Sequence, residues 1–204
     1  SAFELSVPGD PSTAAFFAAA AAIVPNSEIM LNRVLRNPTR IGFYGALQKM
    51  GAGMDCLNIA EEAGETIGKL KIYSQTLNAI TITKDDVPGL VDELPIIAIL
   101  ATQAKGKTEV RGAKELRVKE CDRIHAVCKN LKKMRADIEE LDDGFIIQGP
   151  TILKGAKIET FHDHRIAMAF KIAGLISDGD VTLDNPECAS ISYPEFYDEL
   201  ERLQ

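Results

Sequence analysis

The sequence predicts an α/β fold built from three repeated units, each reading βαβα with one or two further strands. Two observations carry this. Three strongly apolar helix patterns each follow a strand pattern and an aspartate, at Asp10, Asp92 and Asp163. A second strand then recurs at near-constant distance, with Ile29, Glu109 and Thr182 lying 19, 17 and 19 residues beyond those aspartates. The aspartates are 82 and 71 residues apart, longer than solenoid periods, which leaves room for extra strands. The first helix of each unit is apolar nearly all round, so these helices belong in the interior.

In the first unit the alternation Phe3-Glu4-Leu5-Ser6-Val7 reads as a strand. Pro8-Gly9-Asp10 turns into an Ala-rich helix from about Pro11 to Ile23, and Pro25-Asn26-Ser27 makes the next turn. Glu28–Leu31 is a short strand, Thr39–Met50 a second helix and Lys69–Tyr73 a further strand. The second unit has the strand Ala79–Thr83, a Val87-Pro88-Gly89 turn, and a helix from Asp92 to about Ala104. Thr108–Val110 is its second strand, Lys119–Met134 its second helix and Phe145–Gln148 an extra strand. The third unit has the strand Lys157–Thr160, the helix Arg165–Ile176 behind Asp163, the strand Val181–Leu183, and the closing helix Pro194–Leu203.

Composition narrows the function classes. Of 204 residues, 46% are hydrophobic and 26% charged, which excludes collagen-like and disordered chains. The longest apolar run, Ala14–Val24, is about half of a bilayer span. The first residues carry no basic stretch and no methionine, so we expect no secretory signal, a processed or engineered start at Ser1-Ala2, and a missing upstream part. A net charge of −7 without a basic stripe argues against nucleic-acid binding and leaves room for a small anion held by a few cations. Cys56, Cys121, Cys128 and Cys188 form no CxxC or zinc-ligand spacing, which suits free thiols in a reducing cytoplasm. Cys121 and Cys128, seven apart with Ile124, Val127, Leu131 and Met134, read as a core stripe on one helix. Lys129–Arg135 reads as its solvated end.

Helix starts are the informative places. A helix N-terminus is partly positive, so aspartates suit it, and Asp10, Asp92 and Asp163 read first as caps. Two helix starts break that rule. Lys119 and Arg123 stand four apart on one face of a helix start, and His162-Asp163-His164-Arg165 opens another helix with cations. Cations at such places fit an anionic ligand carrying carboxylate and phosphate groups. The competing reading pairs Lys119 with Glu115, Arg123 with Glu120 or Asp122, and Arg165 with Asp163. A metal site at His162, Asp163 and His164 has only unspecific spacing. No glycine-rich phosphate loop, GxSxG or HExxH is present.

Three strings carry a resemblance. Val7-Pro8-Gly9-Asp10-Pro11-Ser12-Thr13, Glu115-Leu116-Arg117-Val118-Lys119-Glu120-Cys121-Asp122-Arg123 and Asp163-His164-Arg165-Ile166-Ala167-Met168-Ala169 resemble signatures of the 5-enolpyruvylshikimate-3-phosphate synthase family, in order and spacing. Ser192-Tyr193-Pro194 resembles its closing segment. The likeness spans nearly the whole chain but only the C-terminal half of the family's pattern. It therefore implies that residues 3–204 are one domain, with a second domain supplied from elsewhere. The implied fold is an enolpyruvyl-transferase-type inside-out α/β barrel of three βαβαββ-like repeats, with helix N-termini facing an inter-domain cleft.

The implied reaction moves the enolpyruvyl group of phosphoenolpyruvate to the 5-hydroxyl of shikimate 3-phosphate, in aromatic amino acid biosynthesis, without metal or organic cofactor. The resemblance casts Asp92 as proton acceptor, Lys119 as the cation between both substrates and Glu120 as proton shuttle at the methylene. Arg123 and Arg165 would clamp phosphoenolpyruvate with support from His164, and Glu115 would touch the shikimate side. The chain departs from some members at Ile191, where they carry a lysine that reaches phosphoenolpyruvate. The implied partners are those two anions and the other domain, with neither nucleic acid nor membrane. The domain alone is expected to be inactive. The alternatives are an enolpyruvyl transferase acting on a UDP-amino sugar and a non-catalytic repeat module used for binding.

Overall fold

A computed structural model describes residues 6–203. The chain enters through a single parallel bridge, Gly9 to Val34. The expected first strand is not formed at Ser6 and Val7, and its start, Phe3–Leu5, lies outside the described residues. Helix α1 (Pro11–Ile23) has the expected bounds because Asp10 accepts the Thr13 N–H and proline stands in the first turn. Strand β1 (Glu28–Leu35) runs four residues further than its apolar pattern, and α2 starts late and is short (Gly42–Lys49). Strands β2 (Gly53–Glu62) and β3 (Glu65–Tyr73) form a hairpin closed by Ala63 and Gly64, both at positive φ as a tight two-residue turn requires. The first sheet is antiparallel in the order β1-β3-β2.

The second unit opens with β4 (Thr81–Ile82), two short 3-10 turns (Val87–Gly89 and Val91–Glu93) and α3 (Leu94–Gln103). Strand β5 (Gly106–Val110) follows, then a 3-10 segment, Lys114–Val118, and α4 (Arg123–Lys133). The hairpin of β6 (Asp137–Leu141) and β7 (Gly144–Gly149) completes a sheet ordered β4-β5-β7-β6. The third unit has β8 (Lys157–Ile158), α5 (His164–Gly174), β9 (Thr182–Leu183), a 3-10 segment (Pro186–Ile191) and α6 (Phe196–Arg202). Strands β8 and β9 pair in parallel, as β4 and β5 do. The expected extra strands do not occur in this third unit among the described residues.

Helices α1, α3 and α5 pack on one another, with the sheets outside them. Nine of the ten α3 residues are buried, and the alanines Ala15 and Ala18–Ala22 let α1 approach its neighbours closely. Helix α4 buries only one face, through Ile124, Val127, Cys128 and Leu131. Cys121 is not part of that stripe. It lies ahead of α4, which begins at Arg123 because Asp122 caps it by accepting the His125 N–H. Nor is the lysine run simply solvated. Lys129 and Lys133 reach Glu159 at 2.7 and 2.8 Å and hold its carboxyl down at about 2, while buried Asn130 bonds the Glu159 backbone. These contacts tie α4 to the chain just after β8, which leads into α5.

Candidate active site

The N-terminal ends of α1, α3, α4 and α5 lie along one linked set of side chains. Asp163 caps α5: one carboxylate oxygen accepts the Arg165 and Ile166 N–H groups at 2.8 and 3.4 Å. The other accepts Arg123 Nε at 2.7 Å. Phe161 and His162 both adopt positive φ just ahead of it, which turns the chain sharply into the cap. His162 points away, with Nδ1 2.9 Å from Asn185 Nδ2.

Arg123 is the hub. Besides Asp163 it meets Asp92 Oδ1 through Nη1 at 2.9 Å and Glu120 Oε2 through Nη2 at 2.6 Å. Its side chain is 1% exposed and that of Asp163 0%, whereas Asp92 and Glu120 are 39% and 48% exposed. Lys119 reaches Glu115 at 2.7 Å and Asp92 at 3.6 Å. Arg165 Nη1 donates to the Asp92 carbonyl at 3.2 Å and to Glu93 Oε1 at 3.4 Å.

Several expectations are corrected here. Lys119 and Arg123 do not share a helix face. The 3-10 segment ends at Val118 and Lys119 is extended, so the two cations meet through Asp92 instead. Glu115 lies in the 3-10 segment, one turn ahead of Lys119. Arg117 anchors that segment to the β6–β7 hairpin, donating to the Asp142 and Leu141 carbonyls, and so fixes where Lys119 emerges. Asp92 is no cap, because it sits inside the 3-10 turn before α3, whose N-cap Glu93 makes no side-chain capping bond. The local pairings Lys119–Glu115 and Arg123–Glu120 do form. The guanidinium of Arg165, by contrast, goes to Glu93 and Asp92 rather than Asp163, and Asp122 pairs with Arg117 rather than Arg123. Among the described residues no group of His, Cys, Asp and Glu is placed to hold a metal ion.

Sequence reasoning missed two participants. Glu93, the carboxylate next to Asp92, is buried against Arg165. Arg40 reaches Asp10 at 3.1 Å at the start of α1. The signal for it was positional, since Arg40 follows Asp10 by 30 residues as Arg123 follows Asp92 by 31. Cys121 also joins the cluster, its thiol 3.5 Å from Asp163. Burial, Asp163 and its hydrogen bond push that thiol up to about 12, so it stays protonated and poorly nucleophilic.

The electrostatics separate two adjacent carboxylates. Burial alone would raise Asp92, but Arg165, Lys119 and Arg123 outweigh it and hold the carboxyl below the ordinary range. Glu93 is pushed up, because burial outweighs the pull of Ser12 and Arg165. Burial lowers the His164 imidazole, so its neutral form dominates near neutrality. A depressed folded pKa stabilises above the unfolded value and loses that contribution as pH falls through the folded value. Asp92→Asn is therefore expected to flatten the acid side of the stability curve, read as urea midpoints between about pH 7 and pH 3. Glu93 contributes with the opposite sign. An unchanged acid limb in Asp92→Asn would show that the three cations do not act on this carboxylate.

The cluster is open. The three described cavities, of about 190 to 480 Å³, are lined by other residues. Lys119 and Arg165 beside two half-exposed carboxylates, with Arg123 buried behind them, can bind a small molecule with more than one anionic group. They can also move a proton at a hydroxyl or carbon held between them.

Comparison with known proteins adds independent information. A family model described as EPSP synthase (3-phosphoshikimate 1-carboxyvinyltransferase) matches residues 1–200. The chain is 51% identical over 201 residues to the 3-phosphoshikimate 1-carboxyvinyltransferase of Persephonella marina, covering 98% of this chain and 46% of that protein. It is 47% identical to that of Aquifex aeolicus, over 98% and 47% of the two chains. A solved EPSP synthase from Acinetobacter baumannii superposes with a TM-score of 0.94 at 40% identity, covering 98% of this chain and 46% of that one. The enolpyruvyl transferase NikO from Streptomyces tendae shares the fold, with a TM-score of 0.72 at 16% identity over 98% and 44% of the chains. The chain thus spans about half the length of the relatives it matches.

Proposed function

Because this chain belongs to the EPSP synthase family, we propose that it forms one wall of an active site that transfers the enolpyruvyl group of phosphoenolpyruvate to the 5-hydroxyl of shikimate 3-phosphate. The observation that carries the reading is the linkage of Lys119, Arg123 and Arg165 through a single carboxylate, Asp92.

In this reading the substrate hydroxyl oxygen attacks C2 of phosphoenolpyruvate and gives its proton to Asp92, whose depressed pKa keeps it ionised and able to accept. The methylene carbon takes a proton from Glu120, giving a tetrahedral adduct. Glu120 then removes a proton from the resulting methyl group as the C2–O bond to phosphate breaks, which restores the double bond, and the phosphate leaves with the proton held by Asp92, which returns to its carboxylate form. Lys119 stabilises the charge developing between the two substrates. Arg165 binds phosphoenolpyruvate directly. Arg123 contributes through Nη2, which becomes available when half-exposed Glu120 swings off it. His164, neutral at the start of α5, supports the clamp, and Glu115 borders the shikimate side.

We read residues 3–204 as one domain whose other half closes over this face, excludes water and supplies most of the shikimate 3-phosphate pocket. The place of the lysine that some members carry is taken by exposed Ile191, so this chain either does without that contact or makes it with another cation. A reducing, cytoplasmic compartment suits four free cysteines. Among the described residues no helix is long and apolar enough to cross a membrane.

The test is phosphate release from the two substrates, with this chain alone and with the N-terminal half of a full-length relative supplied in trans. Activity only in the mixture is the expected result. Activity of the chain alone would overturn the half-site reading. Silence in both, with each part folded, would favour the binding-module reading, and turnover of a UDP-amino sugar would reassign the acceptor.

A further inference from the structure

Glu93 is a buried carboxylate to which the proposed reaction gives no task. It is the N-cap of α3 yet caps nothing with its side chain, so capping does not explain it. Its residue is 4% exposed, beside the start of α1 on one side and Arg165 of α5 on the other. Burying an ionisable carboxyl is costly unless partners compensate, and the partners here are the Ser12 hydroxyl and Arg165.

The Arg165 guanidinium is held by one corner. Nη1 donates to both the Asp92 carbonyl and Glu93 Oε1. Neither Nε nor Nη2 makes a hydrogen bond among the described residues, and Nη2 stands 3.9 Å from Asp92 Oδ2. One corner is thus fastened to the floor of the site while the remaining donors stay available. A planar fork of this kind recognises carboxylate or phosphate bidentately only when its plane is fixed.

We propose that Glu93 is the positioning residue for Arg165, holding one corner of the guanidinium against the start of α3 so that the rest faces an incoming carboxylate or phosphate. This rests on the reading of Arg165 as an anion clamp, but its first readout does not. In the chain alone, the Arg165 Nε–Hε resonance reports whether the side chain is fixed. It is expected to be sharp in the parent and in Glu93→Gln, which keeps an acceptor oxygen in place. It is expected to broaden in Glu93→Ala and in Glu93→Asp, whose arm is one methylene too short. Backbone spectra separate these effects from unfolding, and Glu93→Asp leaves almost no cavity.

In the two-part enzyme, Glu93→Asp is expected to raise the KM for phosphoenolpyruvate about tenfold with little change in kcat, with Glu93→Gln closer to the parent. A sharp Arg165 resonance and unchanged KM in Glu93→Asp would overturn the proposal. If Arg165→Ala leaves the KM for phosphoenolpyruvate unchanged, the clamp reading fails instead, while the resonance still decides whether Glu93 orders Arg165.

Discussion

Arg123→Ala is expected to destabilise the fold by about 3–5 kcal/mol, the cost of leaving one partner of a buried ion pair alone. Asp163 cannot escape to solvent, because its side chain is fully buried and its carboxylate also caps α5. Asp92 and Glu120 lose the same partner but are half-exposed and rehydrate at little cost. For a domain of this size the change corresponds to a fall in Tm of roughly 10 °C. Thermal or urea unfolding checks it, and the double substitution Arg123→Met with Asp163→Asn is expected to recover part of the loss by removing both charges. A melting curve like that of the parent would mean that the network is held together by other contacts.

Lys119→Ala is expected to do the reverse, lowering kcat of the two-part enzyme by about 10²–10³-fold while stability stays within about 1 kcal/mol. Lys119 is a partly exposed cation whose partners, Glu115 and Asp92, remain hydrated without it. Its contribution would arise as charge develops between two substrates, where a preorganised ammonium group needs no reorganisation. Steady-state kinetics beside a urea titration separates the two effects. A kcat within a few-fold of the parent would remove Lys119 from the reaction. The two substitutions together separate a fully buried cation whose loss is felt first in stability from a partly exposed one whose loss is felt first in rate.

Much of this arrangement was legible in the sequence. Helices α1, α3 and α5 announced themselves because each is apolar nearly all round and begins beside an aspartate. The hairpin strands were less visible: β2 is exposed along most of its length, so no alternation marks it, and the short β6 is similarly mixed in pattern. The boundary of α4 failed for a specific reason. Lys119 and Arg123 have helical spacing, but Asp122 caps the helix and leaves Lys119 outside it. The cation cluster was therefore legible as chemistry but not as geometry. The role of Glu93 was hidden, since next to Asp92 it resembled any acidic first turn. Only the third dimension places it under Arg165.

Asp163 is at once the cap of α5 and the counter-ion of Arg123. The placement of a helix and the placement of a cation therefore cannot drift independently. Exchanging Arg123 for lysine would keep the charge but lose the fork that reaches Asp163, Asp92 and Glu120 together. Replacing Asp163 would loosen α5 before any new partner for Arg123 could arise. A lineage exploring sequence around this pair is confined to joint changes, so its accessible single-step neighbours lie at the rim, where Glu115 is largely exposed. Variation in ligand preference can accumulate there while the shared carboxylate stays where it is.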